Sequence, residues 1–576
     1  MRNFKILVLL AAIMTGFVSC DNDYLDLYPT DRFTKNQFWK SASDLELYCN
    51  QYYSGGSFYI HGGWSTSFYG ENNSDNLVPE IPRTRLNGTG TLPTTGGGWG
   101  WGAIRNVNYF LSNYHTAEGV QADIDQYVGE AYFFKAYYYF TLLKSFGDLP
   151  WFNEVHGPRD EALYQPRMPR NQVTDSIVAT MDRALALLKP KGEAPEFRIN
   201  REIALLIKSR ICLYEGTWEK YHSGTPFGVA GSDGSKFLRL AKEAAEELID
   251  GQKYSLYNSG NPNQSYWKLF NQTDLSNNPE VMLWRKFDLA EGISHNLQRM
   301  LPWRGDGTGI SLSLVESYLK KDGTLALDTD YSSLSAVAAD RDPRLAQTIL
   351  LPGDVLTNVG YETTVQRVFT TPYIDQSGTY RNTTGFMLYK GLDPDPAQQK
   401  NQEGIGITAS VIFRYAEALL NYAEACAELG ELTQAAADKS INKLRNRVGM
   451  APLNVSNVPS DPNNTLGVSD LIYEVRRERR VELALENFRF EDLMRWRAHS
   501  SFAGKRFKGM KYYGSDLENS FTGFYPLVDE NGFLDPYQES LPQGFGFDPN
   551  RDYLMPIPTQ EITINPDLAQ NPGWER

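Results

Sequence analysis

The densest chemistry in this chain is a run of carboxylates: Glu474, Glu478, Glu482, Glu486, Glu491 and Asp492. Closely spaced carboxylates are what glycoside hydrolysis uses, one as acid and the other as base or nucleophile. Here, however, Arg476, Arg477, Arg479, Arg480, Arg489 and Arg495 are interleaved with them at helical spacing. A neighbouring guanidinium lowers a carboxyl pKa, the opposite of what a general acid needs. The pattern therefore predicts an ion-pair network that locks helices together. There is no GxSxG and no Cys/His dyad, and TLPTTGGGWGW lacks the GK[ST] ending of a phosphate loop. The 6 histidines form no HxxxH or HExxH pattern. Asp393 and Asp395, in LDPDP, lack the glycine and distal glutamate of a calcium loop. The reading is of a non-catalytic chain with no metal site and no cofactor.

Binding chemistry is better represented. A sugar ring packs its C–H face flat on an indole or phenol, while Arg, Asn and Asp bond its hydroxyls, so rigid loop aromatics beside polar groups are the candidates. Trp99 and Trp101 stand between glycines just before a predicted helix, where small neighbours are expected to leave an indole uncovered. Trp64 and Tyr69 precede Glu71-Asn72-Asn73, and Arg83 and Arg85 lie in the loop leading to the tryptophans. Trp303-Arg304, between Pro302 and Gly305, sets an aromatic next to a fork-shaped donor, and Trp267 is a comparable candidate. Packing is the alternative for each aromatic, and a solvated surface charge for each arginine. Trp284 reads as core within a strand-like run, and Trp151, Trp218 and Trp496 read as structural.

These residues need a scaffold. Val411 to Trp496 reads as its centre: Leu419, Tyr422, Ala423 and Cys426 share one helical stripe. Gly430 sits where that helix would end, and Ala435 would let a second helix lie close. Lys439 and Asn442 fall where the second helix of a tetratricopeptide hairpin prefers apolar residues, so the repeat match is partial. Further helices are predicted at 104–113, 123–146, 172–188, 203–215 and 236–250. Residues 54–100 read as loops, and 251–408 lose the helical period apart from a short helix at 313–320. So long and aromatic an interruption is expected to be a folded irregular lobe.

The 56 basic and 70 acidic residues leave a net charge of −14, which disfavours a nucleic-acid partner. At the N-terminus Arg2 and Lys5 precede ILVLLAAIM, too short to span a bilayer, and the run stops at Phe17-Val18-Ser19-Cys20. This resembles a bacterial lipoprotein signal, with Cys20 as the lipidated first mature residue and an acidic stretch behind it. Cys49, Cys212 and Cys426 then remain, expected as buried free thiols.

Four stretches in order, AYFFKAYYYFTLLKSFGDLP, RYAEALLNYAEACAELG with INKLRNRVG, ERRVELALENFRFEDLMRW and YLMPIPTQEITINPDLAQNPGW, resemble the SusD/RagB family of outer-membrane lipoproteins. Two positions depart from it: Asn487 stands where the family usually has Gly, and Trp574 replaces a closing Tyr. The resemblance implies a mainly α fold of tetratricopeptide-like hairpins in a superhelical scaffold with a loop-rich lobe. It also implies a recurrent ligand contact by a Trp near the start of the helix after Trp101. The expected role is non-catalytic capture of oligo- or polysaccharide outside the cell, for a SusC-like TonB-dependent transporter. The expected divisions are 1–19 signal peptide, 20–250 N-terminal region, 251–408 lobe, 409–497 helical scaffold and 498–576 tail. From the helical scaffold alone, a tetratricopeptide adaptor for a protein or peptide partner is the alternative.

Overall fold

The computed structural model describes residues 38–53, 56, 58–63, 67–359, 364–399 and 404–575. The signal segment, Cys20 and Trp64 lie outside the described residues.

The first half is helical. Helix α1 (Ala42–Cys49) opens on a reciprocal cap between Ser41 and Asp44. It is followed by α2 (Gly102–Leu111), α3 (Gln121–Phe146), α4 (Arg170–Leu187), α5 (Arg201–Tyr221) and α6 (Ser235–Asp250). Helix α3 packs on α4, and α5 on α6. Arg170 joins α4 to α5 by a buried two-pronged pair with Glu215, its guanidinium stacked 4.0 Å from the Trp218 ring. Residues 251–408 carry short helices, among them α7 (Leu312–Ser317), and little strand. Strand β1 (Val281–Arg285) pairs antiparallel with β4 (Ser410–Arg414), and β2 (Val355–Thr357) with β3 (Arg367–Val368).

Val411 therefore begins in a strand, and the central helix, α8, runs Tyr415–Glu428. It is buried on every side, not along one stripe. Its polar residues are all engaged: Glu417 with Arg210 at 2.6 Å, Asn421 with Arg479 at 2.8 Å, Glu424 with Arg495 at 2.5 Å and Glu428 with Arg476 at 2.9 Å. Pairing is the condition for burying such groups. Gly430 takes the expected left-handed turn, φ 74°. The second helix is broken at Ser440 into α9 (Gln434–Lys439) and α10 (Ile441–Arg447). Its close approach runs through buried Ala436 and Ala437 while Ala435 is exposed, because the Thr433 cap sets the helix phase. Lys439 turns outward to Glu246 and Asp250, and Asn442 caps the Leu453 amide. Both are polar for that reason.

Helix α11 (Asp470–Glu482) and helix α12 (Arg489–Arg495) carry the interleaved charges, and these do form a buried lattice. Glu482 is reached by Arg344 at 2.9 Å, Arg414 at 2.7 Å and Arg447 at 2.7 Å. Burial alone would raise its carboxyl, but the three guanidiniums outweigh that and hold it far below the usual range. Asn487 adopts φ 67° and donates to the Ser67 carbonyl at 2.7 Å, a left-handed position that explains a usual glycine there. Trp574 donates to the Leu554 carbonyl under the Arg551 guanidinium.

Two large apolar clusters result. One runs through the helices, including α3, α5 and α8. The other fills 266–409 and is shared with Val481, Leu485 and Met510. Cys49, Cys212 and Cys426 are buried and free. Among the described residues no helix is long and apolar enough to cross a membrane, and no group of three or more His, Cys, Asp or Glu could hold a metal ion. Asp395 caps the turn Pro396–Gln398, and burial pushes the Asp393 carboxyl up to about 6.

Candidate functional site

Three irregular segments run side by side, joined by backbone hydrogen bonds. Val78 and Glu80 donate to the carbonyls of Gly309 and Gly307, while Gly305 and Gly307 donate to those of Tyr380 and Arg381. Gly305 is required here: a Cβ would meet the Arg381 backbone at 2.2 Å. Asp306 and Gly307 follow with φ of 51° and 60°, a turn that Asp tolerates and Gly prefers. The result presents Trp303 and Tyr380 outward, 44% and 51% exposed.

Each ring is backed by a guanidinium. Arg367 lies 3.6 Å from the Trp303 centroid, and Arg304 lies 5.0 Å from that of Tyr380. Arg367 is itself fixed, donating to the Pro302 carbonyl at 2.7 Å and to the Tyr373 hydroxyl at 2.6 Å. Arg381 pairs loosely with Glu80 at 3.7 Å, both half exposed. Tyr69 hydrogen-bonds the Asp306 carboxyl, which burial pushes up to about 6. These groups are rigid, amphipathic and rich in donors, the combination that a polyhydroxylated ligand requires.

Trp99 and Trp101 are elsewhere. Gly96, Gly97 and Gly98 all take positive φ (74°, 57° and 85°), and this bend carries Trp99 inward. It is 8% exposed, edge-on to Phe146 at 5.0 Å and to Trp101 at 5.3 Å. The glycines thus fold the indole under instead of leaving it uncovered as expected, although Trp99 still lines the cavity beside Trp101. Trp101 is half-buried and lines a cavity of about 400 Å3 with Arg105, Asn108, Glu154, His156 and Tyr164. The Asn108 amide donates to the carbonyls of Phe152 and Glu154, while its Oδ1 is buried with no partner.

The structure therefore brings Tyr69, Trp303 and Arg304 together on one face and Trp99 and Trp101 together at another place. Arg85 does not reach the tryptophans. It donates to the carbonyls of Asp552 and Tyr553 and stacks on Phe490, tying the 81–90 loop to the C-terminal segment. Arg83 is exposed. Trp267 is half-buried and stacked on Tyr389 at 5.1 Å, part of the lobe's packing. Glu71 is buried and accepts from Asn76 and the Leu485 amide, holding its segment in place. Sequence reading did not single out Arg367, Asp306, Tyr380 or Arg381. Nothing in the spacing of residues 303, 367 and 380 brings them together.

Trp151, Trp218 and Trp496 pack as expected, whereas Trp284 is less buried than its core reading. Trp151 stacks on Tyr139 at 3.9 Å, Trp218 lies against Arg170, and Trp496 donates to Glu424 at 2.7 Å. Trp284 does lie in a strand, but half-buried against Phe197.

Two family models match the chain: the SusD family over residues 242–574, and a family described as starch-binding and associating with the outer membrane over residues 99–213. SusD-like protein P38 of Formosa agariphila is 22% identical over 520 residues, spanning 86% of this chain and 92% of its own. A SusD-like carbohydrate binding protein from Bacteroides fragilis NCTC 9343 superposes with a TM-score of 0.71 at 22% identity, covering 92% of this chain and 100% of that one. A laminarin binding SusD-like protein gives 0.56 at 18% identity, over 93% and 100%. At such identities the superpositions establish a shared fold. Because the first family model spans more than half of its length, the chain belongs to the SusD family.

Proposed function

We propose that this chain binds carbohydrate at the outer membrane, through the face that carries Trp303 and Tyr380, without chemical turnover. The observation that carries the reading is the pair of exposed rings, each with a guanidinium against it, on a family scaffold whose relatives include carbohydrate-binding proteins. Lipid anchoring through Cys20 and delivery of the captured sugar to a SusC-like TonB-dependent transporter complete the proposed role. A second contact is proposed at the cavity beside Trp101, because Asn108 Oδ1 there is an acceptor awaiting a donor such as a sugar hydroxyl. A non-catalytic role is supported by the carboxylates of α11 and α12, which are bound up in ion pairs. The test is binding of the mature chain to a panel of polysaccharides, alongside Trp303→Ala and Tyr380→Ala. Saturable binding weakened in both variants supports the reading; no binding to any glycan, or binding untouched by both changes, overturns the site.

A further inference from the structure

A second cavity, of about 270 Å3, opens where α11 meets the loop at 461–466, helix α7 and the residues around Lys505. Its lining is unusually cationic. Arg476, Arg477, Arg480, Arg489 and Lys505 face it, against Asp75, Asp461 and Glu316.

The carboxylates are largely committed. Asp461 receives Arg477 at 2.5 Å, and Arg477 also reaches Glu474 at 2.9 Å. Arg480 and Arg489 divide the single carboxylate of Asp75, at 3.3 and 2.7 Å. Glu316 accepts the Tyr331 hydroxyl at 2.9 Å, and burial pushes its carboxyl up, which weakens its negative charge. Burial also lowers Arg480 to about 10, as expected of a guanidinium with incomplete compensation.

Arg476 is the unusual member. It is 3% exposed and held between the rings of Tyr221 and Trp496, 4.5 Å from each. Its Nη2 donates to Glu428, but Nε and Nη1 are buried with no hydrogen-bond partner. A buried guanidinium held between two aromatic faces, with only Nη2 bonded within the protein, retains donor capacity for an added acceptor. A ligand that satisfies it must bring acceptor oxygen atoms, and the surplus of Arg and Lys over Asp and Glu in the lining favours anionic ones.

We propose that this cavity is an oxyanion site, taking a sulfate or carboxylate group either on an acidic sugar or as the free ion. The sugar-borne form rests on the carbohydrate reading above; the free-ion form does not. Arg476 supplies the inner donors, Arg480 and Arg489 the surplus charge, and exposed Lys505 the entry.

The mature chain is titrated with sodium sulfate by calorimetry, against sodium chloride at matched ionic strength. The expected result is saturable sulfate binding, lost in Arg476→Gln and weakened about tenfold in Lys505→Glu by reversal of one nearby charge. Lys505 is exposed, so the second variant reports even if Arg476→Gln does not fold. Sulfate behaving like chloride, or unaltered affinity in Lys505→Glu, overturns the proposal. Glucose 6-sulfate and glucuronate are then compared with glucose and with free sulfate. Tighter binding of the acidic sugars than of free sulfate assigns the sugar-borne form, and equal binding assigns the free ion. Trp303→Ala leaves sulfate binding unchanged, so failure of the aromatic face and failure of this site are read separately.

Discussion

Arg344 donates through Nη1 to Glu482 at 2.9 Å, with the two side chains 1% and 0% exposed. The pair joins the 251–408 segment to α11, and Arg414 and Arg447 converge on the same carboxylate. Arg344 is further held by Asp342 and Glu478 at 2.7 and 2.6 Å. This lattice fixes the lobe, and with it the Trp303 face, against the helices.

Removing one member leaves buried charge uncompensated. Glu482→Gln is expected to cost about 3–5 kcal/mol, read as a lower denaturation midpoint in urea. A loss under 1 kcal/mol would mean that the lattice is dispensable for stability.

Two glutamates give opposite pH dependences. Burial would raise Glu424, but Arg495 and its neighbours outweigh it and hold the carboxyl at about 2. The unfolded chain takes up that proton near 4.5, so this contribution is complete above pH 4.5 and drains away as pH falls toward 2. Glu424→Gln should flatten the acid limb of the stability profile.

Glu219 runs the other way: burial first, then Glu215, pushes it up to about 7. Its folded form keeps a proton that the unfolded chain has shed, so stability falls as pH rises from about 4.5 through 7. Glu219→Gln is expected to raise the melting temperature at pH 8 relative to the wild type and to leave it unchanged at pH 4. An equal effect at both values would remove the assignment.

The tryptophans separate by exposure. Trp99→Ala should destabilise by about 3–5 kcal/mol, as for other buried aromatics. Trp303→Ala should stay within about 0.5 kcal/mol of the wild type. Glycan affinity should fall roughly tenfold in Trp303→Ala, equivalent to about 1.4 kcal/mol of lost ring contact. Thermal melts paired with affinity electrophoresis read both quantities; equal stability losses in the two variants would contradict their placement.

Cys20→Ser should move the protein from the membrane to the soluble fraction, because no acyl chain can then form on that thiol. Persistence in the membrane pellet would contradict lipid anchoring.

The sequence by itself determined the scaffold. Periodic apolar residues, Gly430 at a helix end, and alternating Arg and Glu report local geometry, which propensity and spacing control. The interleaving of charges was enough to foresee ion pairs in place of a catalytic dyad, since several neighbouring guanidiniums outweigh the opposing effect of burial on a carboxyl. Only the tertiary structure decided which tryptophans face water. The same Gly-Trp pattern that suggests an uncovered ring can turn it inward, and Trp99 is buried because three positive φ angles steer it onto Phe146. Tyr380 joins Trp303 across 77 residues of chain by backbone pairing between 305–310 and 379–386, and Arg367 joins it across 64 residues through its bond to the Pro302 carbonyl. Such pairing depends on where distant segments meet, and no periodicity encodes it. Arg476 makes the same point: its spacing marks it as one more ion-pair partner, and only its burial between Tyr221 and Trp496 leaves two of its nitrogens unanswered.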